Sequence, residues 1–149
     1  MGESLTLITP PKFDDEIVYV YIDDVGTKAR INDSMIVAVG LSIQRAQLTV
    51  PEQHDYARYA LLIDDGEAQA VAIAQHRGLS ILTDDGAGIA LAGSIGVPVL
   101  TTLDLIFTWA KGRSDEDVQG ACKRLRLRGR YAVPKSHVHA AWYREQLDA

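Results

Sequence analysis

Three carboxylates in this sequence stand where a cation can meet them. Glu67 heads the stretch Ala68 to Ala74, and helical spacing puts it on one face with Ala70, Val71 and Ala74. An acid at the head of an apolar, inward face must be satisfied by a cation, a donor or a bound metal. The same acid in a first helical turn also complements the helix dipole, and spacing alone leaves both readings open. Asp84 and Asp85 follow the apolar run Leu79 to Leu82. They are either turn formers and a cap for the next helix, or acids turned into the crevice beyond a strand end. Carboxylates gathered without local lysine or arginine are costly unless cations enter. Hard oxygen ligands with room for water and phosphate suit Mg²⁺ or Mn²⁺.

A second feature is basic. Lys123, Arg124, Arg126, Arg128 and Arg130 place five cations in eight residues. That run either completes a helix dipole behind the cap Ser114, or binds phosphates of a nucleic-acid backbone. Three other patterns carry less. Gly86, Gly88 and Gly93 lack the glycine that a dinucleotide loop needs at position 91, which is Leu91. His137 and His139 are two apart, so in a helix they point to different faces and do not share a metal. Trp109 and Trp142 read as core or interface aromatics.

The elements that must position these residues alternate in kind. Thr6 to Thr9 reads as a strand, Phe13 to Tyr21 as a helix behind Pro11, and Met35 to Val39 as a short helix. Leu41 to Val50 alternates like a strand, and a helix follows from Pro51 to Leu62. Asp64 or Asp65 caps a helix over Glu67 to His76, which Arg77-Gly78 closes. Leu79 to Leu82 and Val97 to Leu100 are short strands, separated by a helix ending at Ser94 and followed by one from Leu103 to Lys111. Strands and helices with short connections imply a parallel α/β sheet with helices on both faces.

Composition sets the outer bounds. With 149 residues, 47% hydrophobic and one cysteine, Cys122, the chain is neither disordered nor a disulfide scaffold, and a single domain over 1–149 is expected. No apolar run approaches the roughly 20 residues that span a bilayer, so no membrane role is expected, and a lone cysteine fits the cytoplasm. Charge is uneven. Residues 1–110 carry 6 Lys/Arg against 15 Asp/Glu, whereas 111–149 carry 9 against 5. An acidic region that holds cations and a basic one that holds phosphates is a combination suited to nucleic acid.

The segments Leu62-Ile63-Asp64-Asp65-Gly66-Glu67-Ala68, Ile81-Leu82-Thr83-Asp84-Asp85 and Val97-Pro98-Val99-Leu100-Thr101-Thr102-Leu103-Asp104-Leu105 occur in the order and spacing of a PIN domain. The chain resembles that family best over 62–111. The stretch Arg130 to Tyr143 resembles the family's tail, within a helical region 114–149. The resemblance implies a three-layer αβα fold and a Mg²⁺- or Mn²⁺-dependent ribonuclease, frequently the toxin of a toxin–antitoxin pair. It maps Glu16, Glu67 and Asp84 onto three catalytic, metal-holding acids, with Asp85 as an auxiliary ligand. RNA, an antitoxin protein and a second copy of the chain are the partners it implies. The family's first strand, ending in the first aspartate, has no counterpart ahead of Ser4. An incomplete, inactive nuclease is therefore one expectation, and a non-catalytic RNA- or protein-binding module is the alternative.

Overall fold

Thr6–Thr9 forms β1, and it pairs in parallel with β4, Ser42–Arg45, in the register Thr6 to Ser42 through Thr9 to Arg45. This computed structural model describes residues 6–16, 19–21, 28–30 and 42–149. The expected helix over 13–21 is shorter than the sequence suggests. Phe13–Glu16 forms one turn, α1, and Tyr19–Tyr21 is instead a strand, β2. Aromatic and β-branched residues in a row favour the extended chain. A strand partner supplies the bonds, because β2 pairs antiparallel with β3, Lys28–Arg30. The side chain of Glu16 and the expected helix at 35–39 lie outside the described residues. The strand expected over 41–50 stops at Arg45, since Thr49 turns the chain into the next helix.

That helix, α2, spans Val50–Tyr59 and starts with a capping box. Glu52 N–H donates to Thr49 Oγ1, and Thr49 N–H returns a bond to Glu52 Oε2. Next, α3 spans Asp65–Arg77 with Asp64 at the N-cap, and Gly78 closes it with φ of 65°, a conformation glycine adopts without strain. Its buried residues are Gly66, Ala68, Gln69, Val71, Ala72, Ile73 and Ala74. This is wider than the expected stripe, because small alanines let the helix be packed round most of its circumference.

Short elements follow: β5 (Ile81–Leu82), α4 (Gly86–Ser94), β6 (Val99–Leu100), α5 (Thr102–Ala110), α6 (Asp115–Leu127) and α7 (Ala140–Asp148). Ile81 N–H donates to Pro98 O, and Thr83 N–H donates to Leu100 O, so the register advances in one direction along both segments, as in a parallel pair. Among the described residues the strands form three two-stranded ladders rather than one continuous sheet. His137 and His139 are not helical. They stand in the turn before α7, where Pro134 precedes them.

The chain divides into two compact units, Met1–Ile81 with Asp85–Pro98, and Leu82–Asp84 with Val99–Ala149. The first buries Ala46, Tyr59, Ala68, Val71, Ala72, Ile73, Ala74, Ile81, Ala92 and Val97. The second packs Ile106, Leu125, Val133 and Trp142 around Leu103, Val118, Cys122 and Tyr143.

Candidate functional site

In the first unit, three polar ties run between α2 and α3. Arg77 Nε and Nη2 donate to Glu52 at 2.7 and 3.0 Å, His76 Nε2 lies 2.7 Å from Asp55 Oδ2, and Tyr59 OH donates to Gln75 Oε1. The side chain of Glu52 is only 1% exposed. Arg77's bonds outweigh the cost of burial and, with Thr49, bring the Glu52 carboxyl down to about 2. These ties hold the C-terminal half of α3 and leave its N-terminal turn for other work.

That turn lines an open cleft of about 590 Å³ with Asp64, Asp65 and Glu67, together with Lys12, Ala60 and Ile63. Asp64 occupies the N-cap, yet its carboxylate makes no capping bond. An aspartate in that position ordinarily accepts from the N2 or N3 amide. Glu67 lies against the first turn of α4. A Cβ at the buried Gly88 would come 3.1 Å from Glu67 Oε1, so glycine leaves the room that this carboxylate occupies. Lys12 is drawn in by its backbone, whose N–H donates to Gln69 Oε1 of α3 at 3.1 Å. Asp85 caps α4, accepting from the amides of Ala87 and Gly88 at 2.9 Å. The capping reading of Asp85 is therefore met in the structure.

In the second unit, acids gather at the start of α5. Thr101 and Asp104 form a capping box: Thr101 N–H and hydroxyl donate to Asp104 Oδ2 at 2.8 Å, and Asp104 N–H donates back to Thr101 Oγ1. Asp84 receives the Thr102 N–H on Oδ1 at 3.0 Å and the Thr102 hydroxyl on Oδ2. His137 Nε2 lies 3.0 Å from Thr101 Oγ1 and 3.3 Å from Asp104 Oδ1. His139 stacks on Phe107 with 3.7 Å between ring centroids, and its Nε2 is 3.9 Å from the same Asp104 oxygen. Both histidines thus face one acid, against the expectation of opposite faces, because they sit in a turn. Burial alone would raise the Asp104 carboxyl, but the Thr101 bonds and His137 hold it below the usual range.

The basic run ends α6. Arg124 and Arg126 lie in its last turn, Arg128 is the C-cap, and Lys123 Nζ donates to Ala149 O at 2.8 Å. Lys123, Arg124, Arg126 and Arg130 are exposed. Arg130 takes a left-handed φ of 50° beyond Gly129. A Cβ at Gly129 would fall 2.7 Å from Leu125 O, so only glycine lets the chain turn off the helix here. These cations stand at the C-terminal end of α6, where the helix dipole favours positive charge.

For a metal ion the donor chemistry is right: carboxylate oxygens lining an open cleft are the hard ligands that Mg²⁺ and Mn²⁺ take. Among the described residues no three His, Cys, Asp or Glu side chains gather as a ready ion cage. Mg²⁺ commonly uses one or two carboxylates, completed by water and phosphate, so the set fits in kind. Asp64 and Asp65 entered the sequence reading only as caps. Their side-chain disposition, and the Lys12–Gln69 and His137–Asp104 pairings, are long-range results that no local spacing carries.

Short strands alternating with helices define an α/β domain. The chain belongs to the PIN-domain family, whose family model matches residues 8–141. PIN domains are in general divalent-metal dependent. No curated protein and no solved structure matches the chain. Among the described residues no helix is long and apolar enough to cross a membrane.

Proposed function

We propose that this PIN domain, read as a single functional domain over 1–149, is a Mg²⁺- or Mn²⁺-dependent ribonuclease. One observation carries the reading. Three carboxylates from one helical turn line an open cleft, and the one at the N-cap, Asp64, does not cap. Glu67, with one of its neighbours Asp64 and Asp65, would hold the cation, and water and phosphate would complete its shell. Glu16, Asp84 and Asp85 enter through the resemblance. A bound cation supplies polarisation of the phosphoryl oxygens and a more acidic water. The carboxylates would fix the cation's place, and one of them would accept the proton as water oxygen bonds to phosphorus. One backbone P–O bond breaks, and the leaving oxygen takes its proton from solvent. Lys123, Arg124, Arg126, Arg128 and Arg130 would grip backbone phosphates, which gives affinity without sequence choice. The resemblance further supports a cytoplasmic toxin that pairs with an antitoxin protein, and a second copy of the chain as a further partner.

The test is cleavage of single-stranded RNA by the purified chain with Mn²⁺ or Mg²⁺. Cleavage should stop with chelator and fall on the order of 10²-fold or more in Glu67→Gln. Binding of RNA without cleavage under every metal would replace the reading with the non-catalytic module.

A further inference from the structure

We infer that Gly88 is a positioning residue for Glu67, because its missing side chain is the space in which that carboxylate is seated. The inference rests on the nuclease reading, in which Glu67 holds the cation. Three glycines stand in α4, at 86, 88 and 93, although glycine is among the least favourable residues a helix can carry. The backbone does not ask for one at 88, since φ there is outside the left-handed region. The surrounding space does ask for it. A Cβ at Gly86 or Gly93 would meet nothing within 4 Å. One at Gly88 would stand 3.1 Å from Glu67 Oε1 and 3.3 Å from both Cδ and Oε2. Its three nearest neighbours are thus the whole carboxyl group of Glu67, and not the backbone of α3. A glycine kept to let two helices approach would face backbone.

Neither helix yields freely at this contact. The N–H groups of Ala87 and Gly88 both donate to Asp85 Oδ2 at 2.9 Å, so the cap fixes the turn in which Gly88 is buried. On the other side, α3 is tied to α2 through Gln75, His76 and Arg77. An added methyl group is therefore accommodated by the Glu67 side chain, which must give by a few tenths of an ångström. A metal site is sensitive on that scale, because its ligands have to stay within about 0.5 Å of their working geometry. Glu67 lines the cleft beside Asp64 and Asp65, so its displacement is felt where the cation would sit.

The full chain carrying Gly88→Ala, Glu67→Asp, both together, or Glu67→Gln is compared with the parent by Mn²⁺ titration, followed through water-proton relaxation. Thermal unfolding without metal is read alongside. Gly88→Ala should weaken Mn²⁺ binding on the order of tenfold, the lower end of the loss when a support to a metal ligand is removed. Its melting temperature should match or exceed the parent's, because alanine favours the helix. Glu67→Asp withdraws the carboxylate by one methylene. Adding Gly88→Ala to it should weaken Mn²⁺ binding no further and should raise the melting temperature, a non-additivity that marks direct contact. Parent-like Mn²⁺ affinity in Gly88→Ala beside a loss in Glu67→Gln would overturn the positioning role alone, as would an equal further loss in the double variant. A lower melting temperature or failure to fold with Gly88→Ala in both backgrounds would also overturn it, and would assign the glycine to helix packing. Parent-like affinity in Glu67→Gln, or no Mn²⁺ binding by the parent, would remove Glu67 from the nuclease reading and the positioning role with it.

Discussion

Glu52 and Asp64 stand 12 residues apart in the first unit and meet opposite fates. Glu52 closes a capping box and is bonded by Arg77, so its carboxylate is consumed by the fold. Asp64 holds an N-cap position without capping, and with Asp65 and Glu67 it lines a cleft. Within the second unit, Asp104 repeats the first pattern through Thr101 and His137. The difference separates acids that build the structure from acids that the structure presents. Stability is the readout for the former, and ligand binding for the latter.

The sharpest break in that comparison is at Glu52. Truncation to Ala leaves the Arg77 guanidinium without its partner and removes the Thr49 amide's acceptor, which should cost about 3 kcal/mol. Urea denaturation measures it. The pH dependence has a fixed sign. The folded carboxyl stands at about 2 against an ordinary 4.5. Its contribution is therefore complete above about pH 4.5 and is lost as pH falls through about 2. Glu52→Gln should flatten this acid limb, whereas substitutions at Asp64 should leave stability nearly unmoved.

A second test concerns the presented cations. Neutralising Arg124, Arg126 and Arg128 together should weaken single-stranded RNA binding roughly tenfold near physiological salt. It should also lower the log–log salt slope by about 0.7 for each lost contact. Fluorescence anisotropy across salt concentrations reads both. An unchanged slope would leave the run as a helix terminator only.

These contrasts also mark what the sequence could reveal. α3 is legible because its signals are local: an aspartate at the cap, an alanine-rich body, and Arg77-Gly78 at the close. α6 is legible for the same reason, with Ser114 donating to Asp117 and accepting its amide. Tyr19–Tyr21 was not, because its strand state depends on a partner strand at 28–30 rather than on the Pro11 that suggested a helix. The site divides likewise. Glu67's place on α3 follows from spacing, whereas Asp84's bond to Thr102 and Asp104's to His137 join residues far apart in sequence. Helical periodicity even misled at His137 and His139, since it assumes a helix where the chain makes a turn.

His137 gives a smaller effect. His137→Ala removes the donor to Thr101 and the acceptor for the His139 amide, and should cost about 1 kcal/mol. His137→Gln, which keeps a donor near the Nε2 position, should recover part of it. The Asp104 carboxyl lies below its ordinary 3.8. Its share of stability is thus complete above about pH 4 and lost as pH falls below that value. The alanine variant should lose stability at neutral pH but show a weaker dependence on acid than the parent.

The smallest effect is expected at Tyr131, and it tests how far polar groups in the second unit are all structural. Its hydroxyl oxygen is buried without a hydrogen-bond partner. Burial, with the carboxylates of Asp84 and Asp104 nearby, pushes the phenol up to about 12, and the backbone N–H of Leu103 offsets this only in part. The ring itself packs on the core and meets Tyr143 edge to face at 5.8 Å between centroids. A buried hydroxyl that makes no full bond carries its desolvation cost without return. Tyr131→Phe keeps the ring and removes that cost, so unfolding free energy should stay within about 0.5 kcal/mol of the parent or rise slightly. A loss near 2 kcal/mol would mean that the hydroxyl bonds a group at the start of α5. It would then belong with Thr101 and Asp104 among the residues that tie down the start of α5.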